Sequence, residues 1–373
     1  MSALASSLNQ TIVKLTPETD ELQVEWEDGY RSQFHYVWLR DNCPQTPRVN
    51  CQRTIDPLTL PANPYPEKVS LNQEQNIEIV WANENHISQF DPFWLRQNCY
   101  SNDSHSIAWQ PKLWGSEKAT SITTANYTDV FQNKALLKDW LESVRDQGIA
   151  VLQNVPTEPG QILEVASQLG CVRQTYWGKC NDIKSVANPE TDAFTNLRII
   201  PHTDLSYFAS PPAYLLFHYL KTSDKGGENA LIDGFKIAEV LRQQAPEKFK
   251  LLSTLPVQFR FQYTDADLIG EGEIIHLNCD GEVKSIRCSP RAIQPFKFPT
   301  EFIKSYYDAY RTFVEMCNSD EYRVLIKFNP GDLLILDNHR VLHGRTKYVG
   351  ERFVQSVFIE RTELLSYLSV ISR

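Results

Sequence analysis

Pro201-His202-Thr203-Asp204 sets an imidazole and a carboxylate at alternate positions of the chain. On a strand or its extended end, side chains repeat with period two, so both groups leave the same face. Much later, Gly331–Leu336 reads as a short apolar strand that runs into Asp337-Asn338-His339-Arg340-Val341-Leu342-His343-Gly344-Arg345. His343, from a second strand, completes a set of two imidazoles and one carboxylate. Such a facial set leaves positions open on iron for a co-substrate and oxygen, and without a thiolate it suits Fe(II) better than a structural zinc. A His-x-Asp triplet alone is a common accident, and a hydrogen-bonded strand-end histidine is its ordinary explanation. The second cluster changes the balance. Arg352 opens the strand pattern Phe353–Phe358, and a guanidinium beside a metal can grip a carboxylate through paired hydrogen bonds. His339 and Arg345 flank the same motif, and a structural role is the better reading of His339.

Strands must position these groups. Pro212–Leu220 runs apolar as a buried strand, and Ile149–Leu152 follows a helix whose apolar positions are Leu136, Leu137, Trp140, Leu141 and Val144, with Gly148 as its stop. Phe302, Ile303, Tyr306, Tyr310, Phe313 and Val314 mark another amphipathic helix. Strands dominate the half that carries the chemistry, which favours an α+β, mainly β, domain built on a β-sandwich or jelly roll over a doubly wound sheet. Neither a GxGxxG nor a GxxxxGK[ST] signature is present, so nucleotide binding loses its main support. The N-terminal region repeats itself. VEWEDGYRSQFHYVWLRDNC ends at Cys43 and IVWANENHISQFDPFWLRQNC at Cys99, with Trp26 matching Trp81, Phe34 matching Phe90, and Trp38-Leu39-Arg40 matching Trp94-Leu95-Arg96. The expected division is a small β-rich domain over 1–105 and a catalytic domain over 106–373.

The 373 residues are 42% hydrophobic, enough for a sizeable core, and carry a net charge of −9. That charge argues against nucleic acid, whose phosphates need a basic face. The N-terminus lacks the pattern of a signal peptide, and no apolar run is long enough to span a bilayer. Eight cysteines without regular spacing read as reduced thiols. A cytoplasmic enzyme acting on a small molecule is the expectation.

His-Thr-Asp at 202–204, Gly226-Gly227-Glu228-Asn229, Asn329-Pro330-Gly331-Asp332, the motif ending in His343-Gly344-Arg345, and Arg352 fall in one order. Together they resemble the taurine-dioxygenase-like superfamily of Fe(II)/2-oxoglutarate dioxygenases. The opening WLRDNCP, Trp114-Gly115-Ser116-Glu117, Ala193-Phe194-Thr195 and Leu231-Ile232-Asp233-Gly234-Phe235 are similar to its γ-butyrobetaine hydroxylase/trimethyllysine hydroxylase branch. The resemblance implies a double-stranded β-helix (jelly roll) catalytic domain and a homodimer. It implies iron on His202, Asp204 and His343, and 2-oxoglutarate on Arg352, with O2 as the other co-substrate. Asn229 stands where the superfamily usually has Thr or Ser to help hold 2-oxoglutarate. Oxidative decarboxylation to succinate, coupled to hydroxylation of a substrate, is the implied reaction.

Departures from the branch matter. Its aromatic cage for a trimethylammonium group maps onto Trp177, Phe194 and Phe358, but the fourth position is Asn181. Ring faces suit a quaternary cation because it has no hydrogen bond to donate. Val283–Arg291 carries Arg287, Ser289 and Arg291 where an amide-rich segment is expected to meet a substrate carboxylate, which suits a more strongly anionic group such as a phosphonate. Relatives with a zinc-binding N-terminal module have Cys-Pro-Cys-x-x-Cys and a later His. Here Gln45 replaces the second Cys, so a structural zinc on Cys43, Cys51, His86 and Cys99 is not expected. Two other readings stay open: the same iron chemistry on another amino acid-derived metabolite, and a degenerate, non-catalytic binding module.

Overall fold

The duplicated N-terminal motif folds twice into three antiparallel strands followed by a short helix. The first copy comprises Ile12–Pro17, Glu21–Trp26, Arg31–His35 and the helix Tyr36–Asp41. The second comprises Pro66–Leu71, Ile77–Trp81, Ile87–Phe90 and the helix Pro92–Gln97. Alternation points Leu22, Val24 and Trp26, and likewise Ile77, Ile79 and Trp81, into one shared core with Phe34 and Phe90. Each buried indole donates to a serine on the next strand, Trp26 to Ser32 at 2.9 Å and Trp81 to Ser88 at 2.8 Å. The two Trp-Leu-Arg triplets exchange partners across the duplication. Arg40 pairs with Glu84 and Arg96 with Asp28, both at 2.8 Å, so each buried guanidinium is compensated by the other half. This computed structural model describes residues 11–49, 52–53, 55–101, 109–186 and 192–373, and the chain separates into units Met1–Gln110 and Pro111–Arg373.

The second unit is a sheet-rich α/β domain. Its larger sheet has seven strands, with Val172–Arg173, Phe353–Ile359, Tyr214–Lys221, Leu333–Asp337, Ile149–Gln153 and Thr124–Asn126 in that order and Asn181–Lys184 also paired to Phe353–Ile359. The smaller sheet has four antiparallel strands in the order Ile199–His202, Val341–Arg345, Asn229–Asp233, Arg323–Ile326. The strand Tyr214–Lys221 is buried on both faces, and its side chains sort by parity. Tyr214 and Leu216 join a core shared with the helices Lys134–Gln147, Gln161–Leu169 and Arg361–Ile371. Leu215 and Tyr219 enter a second core, where they meet Leu231, Val324 and Val341 from the smaller sheet. A third core covers the smaller sheet's other face with the helices Gly234–Gln244, Pro246–Thr254 and Thr300–Asn318. The order of layers is therefore helices, sheet, sheet, helices. Among the described residues, no helix is long and apolar enough to cross a membrane.

One ion pair lies at the heart of this unit. Arg340, 1% exposed, donates to both Asp233 oxygens at 2.8 and 3.0 Å, and to the carbonyls of Asp146 and Lys112. Asp233 also accepts from the Trp114 and Phe235 amides. The Trp114-Gly115 and Asp233-Gly234-Phe235 motifs are thus frame residues that hold the helix start beside the smaller sheet.

Candidate active site

The smaller sheet brings the two histidines face to face. His202 ends its strand directly opposite His343 in the antiparallel register, and their ring centroids are 4.5 Å apart. The strands approach so closely here that a Cβ on Gly344 would sit 2.6 Å from the Ile199 carbonyl, which explains a glycine beside the ligand. Asp204 follows just beyond the strand end. Its backbone is clamped by Asn338, which accepts from the Asp204 amide at 2.7 Å and donates to the Asp204 carbonyl at 3.1 Å and the Pro212 carbonyl at 2.9 Å. Asn338, buried in the Asp-Asn-His motif, is a positioning residue that sequence reasoning passed over.

His202, Asp204 and His343 form a cluster whose donor atoms all lie within 4.8 Å of one another. Asp204 Oδ1 is 3.1 Å from His202 Nε2 and 3.7 Å from His343 Nε2. Ligands about 2.1 Å from one ion and at right angles to each other stand about 3 Å apart, so the separations fit a shared metal. The Nδ1 of His202 lies 2.9 Å from the Ile200 carbonyl; donating there presents the Nε2 lone pair to the cluster. Burial pushes His343 down to about 3, which keeps its imidazole neutral, as ligation requires. Burial opposes ionisation of Asp204, but the polar and cationic surroundings, Arg291 among them, outweigh it and hold the carboxyl well below the usual range.

A cavity of about 300 Å³ opens on the cluster. Arg352 lines it, 8% exposed, with its guanidinium 5.7 Å from the Tyr219 ring and 5.9 Å from that of Tyr348. No carboxylate among the described residues pairs with it, and burial pushes its pKa below the ordinary arginine value. Asn229 also lines the cavity. Its Oδ1 accepts from the Tyr219 hydroxyl at 2.8 Å, while its buried Nδ2 has no partner among the described residues. A buried donor in want of an acceptor and a buried cation in want of an anion face the same space. A dicarboxylate satisfies both.

Trp177, Asn181, Phe194, Phe358 and Arg291 all line this cavity, as does Ser289. Arg291 reaches to 2.9 Å from His202 Nε2. Arg345 donates to the carbonyls of Thr195 at 2.6 Å and Leu197 at 3.0 Å, so it fixes the segment that carries Phe194. Arg287 requires a correction. It does not line the cavity; its guanidinium is spent on the carbonyls of Phe208, Ala209 and Glu271. Tyr207 and Phe261 are cavity walls that sequence reasoning missed. His339 donates its amide to Asp337 and sets Nε2 2.9 Å from the Pro211 carbonyl, a structural role.

The N-terminal thiols divide. Cys43 Sγ lies 3.1 Å from His86 Nε2, whereas Cys99 contacts Ser101 at 3.1 Å and Tyr30 at 3.7 Å. Cys51 lies outside the described residues.

Comparison with known proteins agrees with this geometry. Residues 110–358 match the family described as taurine catabolism dioxygenase TauD, TfdA family. The chain belongs to that family. Residues 13–86 match the γ-butyrobetaine hydroxylase-like N-terminal family. Among relatives, γ-butyrobetaine dioxygenase of Pseudomonas sp. strain AK-1 is 32% identical, covering 94% of each chain. Trimethyllysine dioxygenase of Meyerozyma guilliermondii is 26% identical over 98% of this chain and 97% of its own. Human γ-butyrobetaine dioxygenase is 26% identical over 94% of each. The protein is therefore an Fe(II)- and 2-oxoglutarate-dependent dioxygenase, and the non-catalytic alternative falls away.

Proposed function

We propose that this dioxygenase hydroxylates a small zwitterion bearing a quaternary ammonium head, of the γ-butyrobetaine kind, on a double-stranded β-helix frame. His202, Asp204 and His343 hold Fe(II), Arg352 and Asn229 hold 2-oxoglutarate, and Trp177, Phe194 and Phe358 receive the cationic head. Iron bound there supplies the oxygen activation that couples decarboxylation of 2-oxoglutarate to hydroxylation of a C–H bond. The protein's part is to orient that bond and to keep water from it.

One observation carries the substrate class. The cavity is walled by aromatic rings, and among the described residues its one carboxylate is Asp204, already committed to the metal cluster. A primary ammonium head would arrive with N–H donors and, among the described residues, find no carboxylate outside the metal cluster to take them. A trimethylammonium has none and gains from ring faces. Arg291 and Ser289 line the same cavity, and theirs is the side where the substrate's anionic group would sit. Because a guanidinium serves a phosphonate as well as a carboxylate, both belong in the test.

The test is stimulation of succinate release by γ-butyrobetaine, trimethyllysine and 2-(trimethylammonio)ethylphosphonate, each with mass detection of a hydroxylated product. At least one should be hydroxylated in step with succinate. Release driven by amino acids without a quaternary nitrogen, and by none of these three, overturns the proposal.

A further inference from the structure

A hairpin of two strands, Val257–Tyr263 and Ala266–Gly272, forms part of the cavity wall. It belongs to neither of the two larger sheets of the domain. Phe259 and Phe261 lie on one face of its first strand, by period two. Phe259 is fully buried in the core beneath, and Phe261 reaches the cavity. There Phe261 stacks on Tyr207, centroids 5.2 Å apart with the planes 24° from parallel, and meets Trp177 edge-on at 5.1 Å.

The hairpin is held at every side. Its first strand exchanges backbone bonds with the segment after Arg291: the Arg260 amide donates to the Ala292 carbonyl and the Gln294 amide to the Gln258 carbonyl, each at 2.8 Å. Its second strand presses on the loop after Asp204, where a Cβ on Gly270 would sit 2.7 Å from the Phe208 carbonyl and 2.8 Å from the Tyr207 carbonyl carbon. Only glycine allows that approach. Arg287 ties the Glu271 carbonyl to those of Phe208 and Ala209. The tip is fastened by Tyr176, whose hydroxyl donates to Asp265 at 2.5 Å. Phe261 is thus a ring fixed in place before any ligand arrives, which lowers the ordering cost of using it for recognition.

We infer that Phe261 is a substrate-contacting residue that sets the preference for a cationic over a neutral head group, completing an aromatic enclosure in which Asn181 is a non-aromatic side. This deepens the quaternary-ammonium reading and rests on it. The hairpin's ring faces the same cavity as Trp177 and Phe194, and an electron-rich face attracts a desolvated cation where an equally shaped hydrocarbon gains burial alone.

The experiment is calorimetric binding to the full chain, loaded anaerobically with Fe(II) and 2-oxoglutarate so that no turnover occurs. The probes are γ-butyrobetaine and 5,5-dimethylhexanoate, its carbon isostere with a neutral head. Wild type should prefer the charged probe. Phe261→Leu should weaken γ-butyrobetaine by roughly two- to thirtyfold more than the isostere, while Phe261→Tyr, which keeps the π face, should retain the preference. Phe261→Met supplies a second non-aromatic variant should the first melt early. Equal losses for both probes, or no loss, would show packing alone and overturn the inference. Absence of any charge preference in wild type sinks the quaternary-ammonium reading itself. A preference kept in Phe261→Leu but lost in Phe194→Leu leaves that reading standing and removes Phe261 from it.

Discussion

Arg352 offers the sharpest test of how the co-substrate is held. Its guanidinium is 8% exposed, packs near the rings of Tyr219 and Tyr348, and has no carboxylate partner among the described residues. A buried, unpaired charge destabilises the empty protein, so the site is built for an anion that arrives later. Truncating one side of a desolvated charge pair costs on the order of 2–5 kcal/mol. Arg352→Ala should therefore raise the 2-oxoglutarate KM by roughly thirtyfold to a few thousandfold at 1.4 kcal/mol per decade. Arg352→Lys keeps the charge but loses the two-pronged geometry and should fall between. The same logic fixes the sign for stability: without 2-oxoglutarate, Arg352→Ala should melt no lower than wild type, because removing an uncompensated charge relieves a cost. The assay is initial-rate succinate formation against 2-oxoglutarate concentration, paired with thermal melts with and without 2-oxoglutarate. A KM within threefold of wild type would refute the assignment and move attention to Arg345. A large fall in the melting temperature of the ligand-free variant would refute the argument about unpaired charge.

His343→Ala should abolish Fe(II) binding and succinate formation while leaving the melting temperature near that of the metal-free wild type, since an open catalytic site contributes less to folding than a closed structural one; metal content after anaerobic loading measures it, and normal turnover would sink the ligand set. Arg340→Ala leaves the fully buried Asp233 carboxylate unpaired, so stability should drop by about 3–5 kcal/mol, read by denaturant unfolding. Burial holds the pKa values of His218 and His339 below 6.5. The unfolded chain then binds more protons below that value, so their contribution is complete above about pH 6.5 and is lost as pH falls through the folded pKa values. His218→Gln should flatten that acid-side loss in a melting series. Phe194→Leu should weaken γ-butyrobetaine more than its neutral isostere by about 0.5–2 kcal/mol, and equal weakening would leave the ring as packing.

The parts of the site legible in the sequence are those whose geometry follows from local period. His-x-Asp puts one donor at a strand end and the next just beyond it. The apolar run before Asp337 announces the larger-sheet strand Leu333–Asp337, which leads, through a turn, into the strand Val341–Arg345 that delivers His343. The duplication could be read because each copy solves the same burial problem, an indole satisfied by a serine, with the same residues. What could not be read is anything set by which side of a loop a side chain leaves. Arg287 and Arg291 lie in one segment, yet only Arg291 reaches the cavity, because the Arg287 backbone amide bonds to Ile274 and its side chain is held by the carbonyls of the neighbouring hairpin and loop. Phe261 was hidden for the converse reason. Its hairpin has no pattern linking it to the metal motif, and its place depends on the close approach at Gly270, in an Ile-Gly-Glu stretch that reads as an ordinary strand. On the proposed reading, these blind positions are the ones that choose a substrate. The iron set needs the same three donors whatever is hydroxylated, so it is carried by short strands with a fixed register. Head-group selection needs only that some ring arrive at the cavity wall, and a hairpin can deliver one from anywhere in the chain. Chemistry is therefore written in spacing here, while specificity is written in tertiary contact.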